Sequence, residues 1–167
     1  MRSSAERLVA ALVPDHNPSG TVYGTLVVGA LLAAEDPDVV GVGGLIAGVV
    51  IALSLYWLAH AYAAVAGHRL STGARWSRQD LVAELRHEWA ILRAAALPVI
   101  VVLIAVAAGA TTHGAVDAGI TACLVVLVGL ELLAGVGTGR PARAVIWDGL
   151  VGAAMGAGLL GLKIVLH

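Results

Sequence analysis

Long apolar runs separated by short polar breaks fill this chain, and within each run apolar positions are continuous rather than alternating. Continuous runs near the length of a bilayer crossing, roughly 20 helical residues, predict membrane helices, whereas a membrane barrel needs alternation. Five such helices are predicted, over about 19–34, 39–66, 89–110, 115–136 and 143–166. The first, GTVYGTLVVGALLAA, follows Pro18 and ends at the acidic turn EDPD. At about 1.5 Å per residue it falls a little short of the hydrocarbon thickness, which favours local thinning or polar burial over tilt. The third carries Pro98, which is expected to kink it, free the carbonyl of Ala94 and open a polar crevice near Arg93.

Two segments lie outside these runs. Residues 1–18 hold too short an apolar core for a signal peptide and read as a cytoplasmic or interfacial segment. Residues 19–167 then form a single transmembrane domain, with a cytoplasmic loop over 67–88. Inside that loop Ser77 is a helix-capping residue with Asp80 three positions on. Leu81, Leu85 and Trp89 follow at four-residue spacing, so an amphipathic turn is expected to run into the third helix. Trp76 and Trp89 fit interfacial anchoring.

Composition turns the pattern into a class. Hydrophobic residues make up 59 % and charged residues 13 %, with a mean hydropathy of +0.92. Soluble domains carry about 25 % charge, so an all-α, polytopic membrane helix bundle is the expected fold class. A net charge of −1 offers no basic surface for nucleic acid. The single cysteine, Cys123, sits in an apolar run and excludes a disulfide framework within one chain.

The placement of basic residues predicts orientation. Arg2 and Arg7 precede the first helix, Arg69, Arg75, Arg78, Arg86 and Arg93 cluster between the second and third, and Arg140 and Arg143 lie between the fourth and fifth. Nine of the ten basic residues thus share one side, leaving Lys163 on the other. The positive-inside rule then puts the N-terminus inside and the C-terminus outside, in a multi-pass protein of the cell membrane.

Ionisable groups inside a bilayer are costly and are therefore the first functional candidates. Counted from the helix ends, His60, Arg93, Glu131 and Asp148 fall at one depth in the cytoplasmic half. Tyr56 shares a helix face with His60, one turn away. An Arg93–carboxylate pair is the natural neutralising arrangement, with His60 donating to the other acid. The group reads either as a proton or cation relay or as a hydrogen-bond network holding the bundle together. On the outer side Asp117 and Lys163 match in depth, predicting a salt bridge between the fourth and fifth helices. Outer-side His113 and His167 lack metal-ligand spacing, so no metal and no cofactor are expected. Gly44 and Gly48 form one GxxxG pattern, and Gly149, Gly152, Gly156, Gly158 and Gly161 form a longer small-residue stripe suited to close packing in lipid.

Three short stretches, GTLVVGALLAAE, YWLAHAY with Trp57 and His60, and ILRAAALPVI with Leu97 and Pro98, carry a distant resemblance. Together they resemble the bacterial branch of the lysosomal-type potassium channels, small six-helix subunits that assemble as tetramers. The family's Phe-Ser-Asp segment is missing, since the chain has no Phe and VYGT stands at about that place. The resemblance therefore implies a small oligomeric membrane bundle, and neither pore residues nor potassium selectivity carry over.

The functional expectation is an integral membrane protein that acts as a homo-oligomeric channel or carrier for small cations or protons. On an oligomer axis, Thr21, Tyr23 and Thr25, or Tyr56 and His60, are the candidate lining residues. The alternative is a non-transporting scaffold or accessory subunit with a structural polar network, whose arginine-rich loop touches anionic lipid or a partner. An enzyme is not expected, since no HExxH motif or phosphate-binding loop occurs and LRHEW at 85–89 lacks a second histidine.

Overall fold

Each apolar run folds as a helix because in lipid only a helix satisfies its own backbone polar groups. The computed structural model describes residues 17–73, 75, 77–137 and 142–166, with the backbone alone for 133–137, 142, 144, 145, 148, 162 and 166. Seven helical segments and no strand occur among the described residues. They are α1 Pro18–Ala34, α2 Pro37–Thr72, α3 Arg78–His87, α4 Trp89–Ala94, α5 Ala96–Ala107, α6 Thr112–Gly137 and α7 Ala142–Leu166. Expectations for residues 1–16, Trp76, Arg140 and His167, and for the side chain of Asp148, lie outside the described residues.

Three stretches, Pro37–Thr72, Arg78–Ala107 and Thr112–Leu132, are long and apolar enough to cross a membrane, and Pro18–Ala34 and Gly149–Val165 are shorter apolar helices. Large apolar side chains point outward on several of them, among them Ile51, Leu55 and Tyr62 on α2, Ile100 and Ile104 on α5, and Ile146, Leu150 and Ile164 on α7. Water would oppose so much exposed apolar surface, and a lipid surround removes the penalty. Among the described residues the molecule is an all-helical bundle with three helical stretches long and apolar enough to cross a membrane.

Chain termini of the helices follow local chemistry. Asn17 caps α1, its side-chain oxygen accepting from the Gly20 amide at 2.7 Å, with Pro18 in the first turn. The cap of α2 is Asp36, whose carboxylate accepts from the Asp38 amide at 3.0 Å. The helix then runs past its expected end at residue 66, because Ser71 and Thr72 bond back to the His68 carbonyl and left-handed Gly73 closes it. Near its start, Gly41 adopts φ 63 and ψ 171, a glycine-only conformation that kinks the helix.

The third predicted helix is divided. Ser77 caps α3 through the Gln79 amide at 3.1 Å, and the chain breaks at Glu88 and again at Ala95. The second break is the effect of Pro98, which has no amide to give the Ala94 carbonyl. There Ala95 bonds to Leu92 at 3.3 Å, and the regular ladder resumes with Val99 to Ala95 at 3.0 Å.

The core forms around α1, which packs against α2, α4, α6 and α7. Val28 and Leu32 of α1 meet Leu45, Val49 and Leu53 of α2, Ile91 of α4, and Ile120, Cys123 and Leu127 of α6. Close approach depends on glycine. A Cβ on Gly24 would lie 2.5 Å from the Ile91 carbonyl oxygen, and one on Gly152 would lie 3.1 Å from that of Leu127. The α7 stripe, Gly149, Gly152 and Gly156, therefore packs within the chain against Leu132, Leu127 and Leu124 of α6. Gly43 and Gly44 of α2 meet no other helix among the described residues.

Candidate functional site

Side-chain contacts gather at two ends of the bundle. At one end, the start of α1, the last third of α2 and the α3–α4 junction meet. At the other, the start of α2 meets the start of α6, with His113 Nε2 at 3.1 Å from Asp38 Oδ2. There Lys163 near the end of α7 also donates to Asp117 in the second turn of α6. Asp117 is largely exposed, so this pair contributes about 0–1 kcal/mol.

The first end holds the only charged side chain buried among the described residues. Glu88, 6 % exposed, sits where α3 breaks into α4. Its Oε2 accepts from Asn17 Nδ2 at 3.0 Å. Because the Asn17 oxygen accepts from the Gly20 amide and Ser19 hydroxyl, both at 2.7 Å, the amide's orientation is fixed by its neighbours. The carboxylate thereby lies at the N-terminus of α1, where the helix dipole favours negative charge. Its other oxygen, Oε1, faces His60 Nε2 at 3.8 Å.

His60 is the connection from this carboxylate to the outside. Its side chain is 43 % exposed and lies between two phenol rings. Tyr56 stacks on it at 5.9 Å, and Tyr23 of α1 tilts toward it at 6.2 Å. The surrounding wall is held rigidly, since Trp57 donates through Nε1 to the Leu85 carbonyl at 2.9 Å and meets Trp89 edge-on at 5.6 Å. Asn17, Glu88, His60, Tyr56 and Tyr23 thus form a graded path from a buried anion to an exposed rim. An imidazole beside a carboxylate can accept, hold and release a proton, and the pair can coordinate a small cation.

The other expected members sit elsewhere. Arg93 is exposed in a groove of about 440 Å³ with Asn17, Trp57, Val82, Leu85, Arg86, His87, Trp89 and Ala90. The expected crevice near Arg93 therefore lies at the α3–α4 junction rather than at the proline. Glu131 is half-buried on α6 beside Gly152 of α7. No ion pair links His60, Arg93 and Glu131 among the described residues. Thr21 and Thr25 are buried in α1, with Thr25 donating to the Thr21 carbonyl at 2.8 Å and Thr21 to that of Asn17 at 3.4 Å. Tyr23, on the same helix, is 51 % exposed.

Asn17 and Glu88 are the functional candidates that sequence reasoning missed. Asn17 directly before Pro18 carries a helix-start signal, but nothing local pairs it with a residue 71 positions away. Glu88 falls in a polar loop by hydropathy, and its burial comes from the return of α1 and α2 to the same end. No group of three metal-ligating side chains occurs among the described residues. Comparison with family models, with curated proteins and with solved structures finds no match for this chain.

Proposed function

We propose that the protein is a multi-pass protein of the cell membrane that passes protons or small cations as a homo-oligomer. In this reading the Glu88–His60 pair takes up the ion at the arginine-rich, cytoplasmic end. The observation that carries it is the buried Glu88 carboxylate facing a half-exposed imidazole at 3.8 Å. A carboxylate removed from water is retained where it has partners, and ionisable groups at membrane depth are characteristic of ion pathways. Each subunit's own core around α1 is filled by Val28, Leu32, Leu53, Ile91 and Ile120, so the path in this reading runs between subunits. The exposed face of α2 and the distant resemblance to tetrameric channels both favour that arrangement. Arginines on the inner side set the N-terminus inside and the C-terminus outside.

Flux from liposomes holding purified protein tests the proposal. His60→Ala and Glu88→Gln are expected to lower proton or cation leak at least tenfold, with helicity retained by circular dichroism. Leak equal to that of empty liposomes, or unchanged in both folded variants, would sink it. Glu131→Gln and Asp148→Asn extend the series to the remaining acids. Native mass measurement adds a separate check, since a strict monomer removes the path between subunits.

A second reading, a non-transporting scaffold, is favoured by a different observation. Each buried side-chain polar atom among the described residues has a partner. Such a network stabilises a bundle without conducting anything.

A further inference from the structure

The groove beside this pair has chemistry that ion passage does not use. Arg86 and Arg93 both line it, about two helical turns apart across the α3–α4 junction, and His87 lies between them. Both guanidinium groups are exposed, and neither has an ion-pair partner among the described residues. The nearby carboxylate, Glu88, is turned away into its bonds with Asn17 and its approach to His60. Facing the two arginines are apolar surfaces, Val82, Leu85 and Ala90, and the indoles of Trp57 and Trp89. Trp57 already spends its N–H on Leu85, so the indoles offer faces and edges rather than a free donor from both.

Paired cations above an apolar floor, flanked by tryptophan, match one kind of occupant. Guanidinium groups bind phosphate through paired donors, and tryptophan settles at the level of lipid headgroups. The groove lies where the polar helix α3 gives way to the apolar stretch that continues through α5. That is the depth at which a phospholipid phosphate joins its glycerol and acyl chains. We infer that this groove is a binding site for one anionic phospholipid, its phosphate held by Arg86 and Arg93 and its glycerol and upper acyl chains laid on Val82, Leu85, Ala90 and Trp89. The inference rests on the groove alone and is independent of the transport reading.

Native mass measurement of the full chain in neutral detergent with equal amounts of dioleoylphosphatidylglycerol and dioleoylphosphatidylcholine tests it. The wild-type protein is expected to retain phosphatidylglycerol at least tenfold over phosphatidylcholine. Arg86→Ala with Arg93→Ala is expected to weaken that retention about 30-fold, from about a fivefold effect for each cation near the surface. Arg69→Ala with Arg75→Ala removes the same charge from outside the groove and should stay near wild type. Equal retention of the two lipids by wild-type protein overturns the site, as does an equal loss in the two double variants. Displacement of phosphatidylglycerol by millimolar inorganic phosphate overturns the lipid assignment in favour of free phosphate. All four arginines are exposed, so both double variants are expected to fold as the wild-type protein does.

Discussion

Asn17 serves α1 and Glu88 with opposite ends of one amide, and its replacements separate the two roles. Asn17→Ala loses the cap, about 1 kcal/mol, and strips a donor from a buried carboxylate, about 1–3 kcal/mol more. Asn17→Asp keeps the cap but sets a second carboxylate against Glu88. Thermal unfolding in detergent should therefore place Asn17→Ser, which keeps the cap without reaching Glu88, closest to wild type and Asn17→Asp well below it. His60 was legible in sequence because an ionisable side chain in an apolar run stands out. Its partner was not, because depth counting along single helices assigns Glu88 to a loop and pairs His60 instead with Arg93, Glu131 and Asp148. Equal depth is a necessary condition for contact, but the angular position of each residue around its helix decides it. Nearly uniform apolar runs give no periodicity from which to read that angle.

Glycine decides how these elements approach one another, and position matters more than pattern. The pair Gly20 and Gly24 is a GxxxG in α1 whose face meets Ala90, Ile91 and Ala94 of α4. Gly44 and Gly48 fit the same pattern, yet Gly44 meets only Val40 of its own helix and Gly48 only the Glu35 carboxylate at 3.8 Å. Gly24→Ala would push a methyl into backbone and is expected to destabilise by about 1–3 kcal/mol. Gly43→Ala, with open space around it, should be neutral or stabilise by up to about 1 kcal/mol through helix propensity. Chemical unfolding in micelles distinguishes the two, and equal effects would mean that the α1–α4 contact is not the close one. Pro98 was readable as a break, while the earlier break at Glu88 was not, since no proline or glycine marks it.

Over the whole molecule, alternating ends are joined by different chemistry. Asn17, Trp57, Leu85 and Glu88 connect one end, and the Asp38–His113 and Asp117–Lys163 pairs bind the other. A phosphatase fused after His167 should be active and a cytoplasm-dependent fluorescent protein at the same place silent, if the arginine-rich end is inside. The reverse pattern would invert the orientation and place Glu88 and His60 at the outer face. The all-helical class was legible because long continuous apolar stretches point to helices whatever the tertiary arrangement. The central place of α1 was not, because its short length resembles a peripheral segment more than a hub.

That central place bears on how the protein is made. The ribosome releases α1 well before α7, yet the surface of α1 includes Gly29, seated against Cys123 of α6 and Leu159 of α7. Until α7 is made, the side of α1 that carries Gly29 lacks its Leu159 neighbour. Arrival of α7, rather than insertion of α1 itself, is the event that closes the bundle around it.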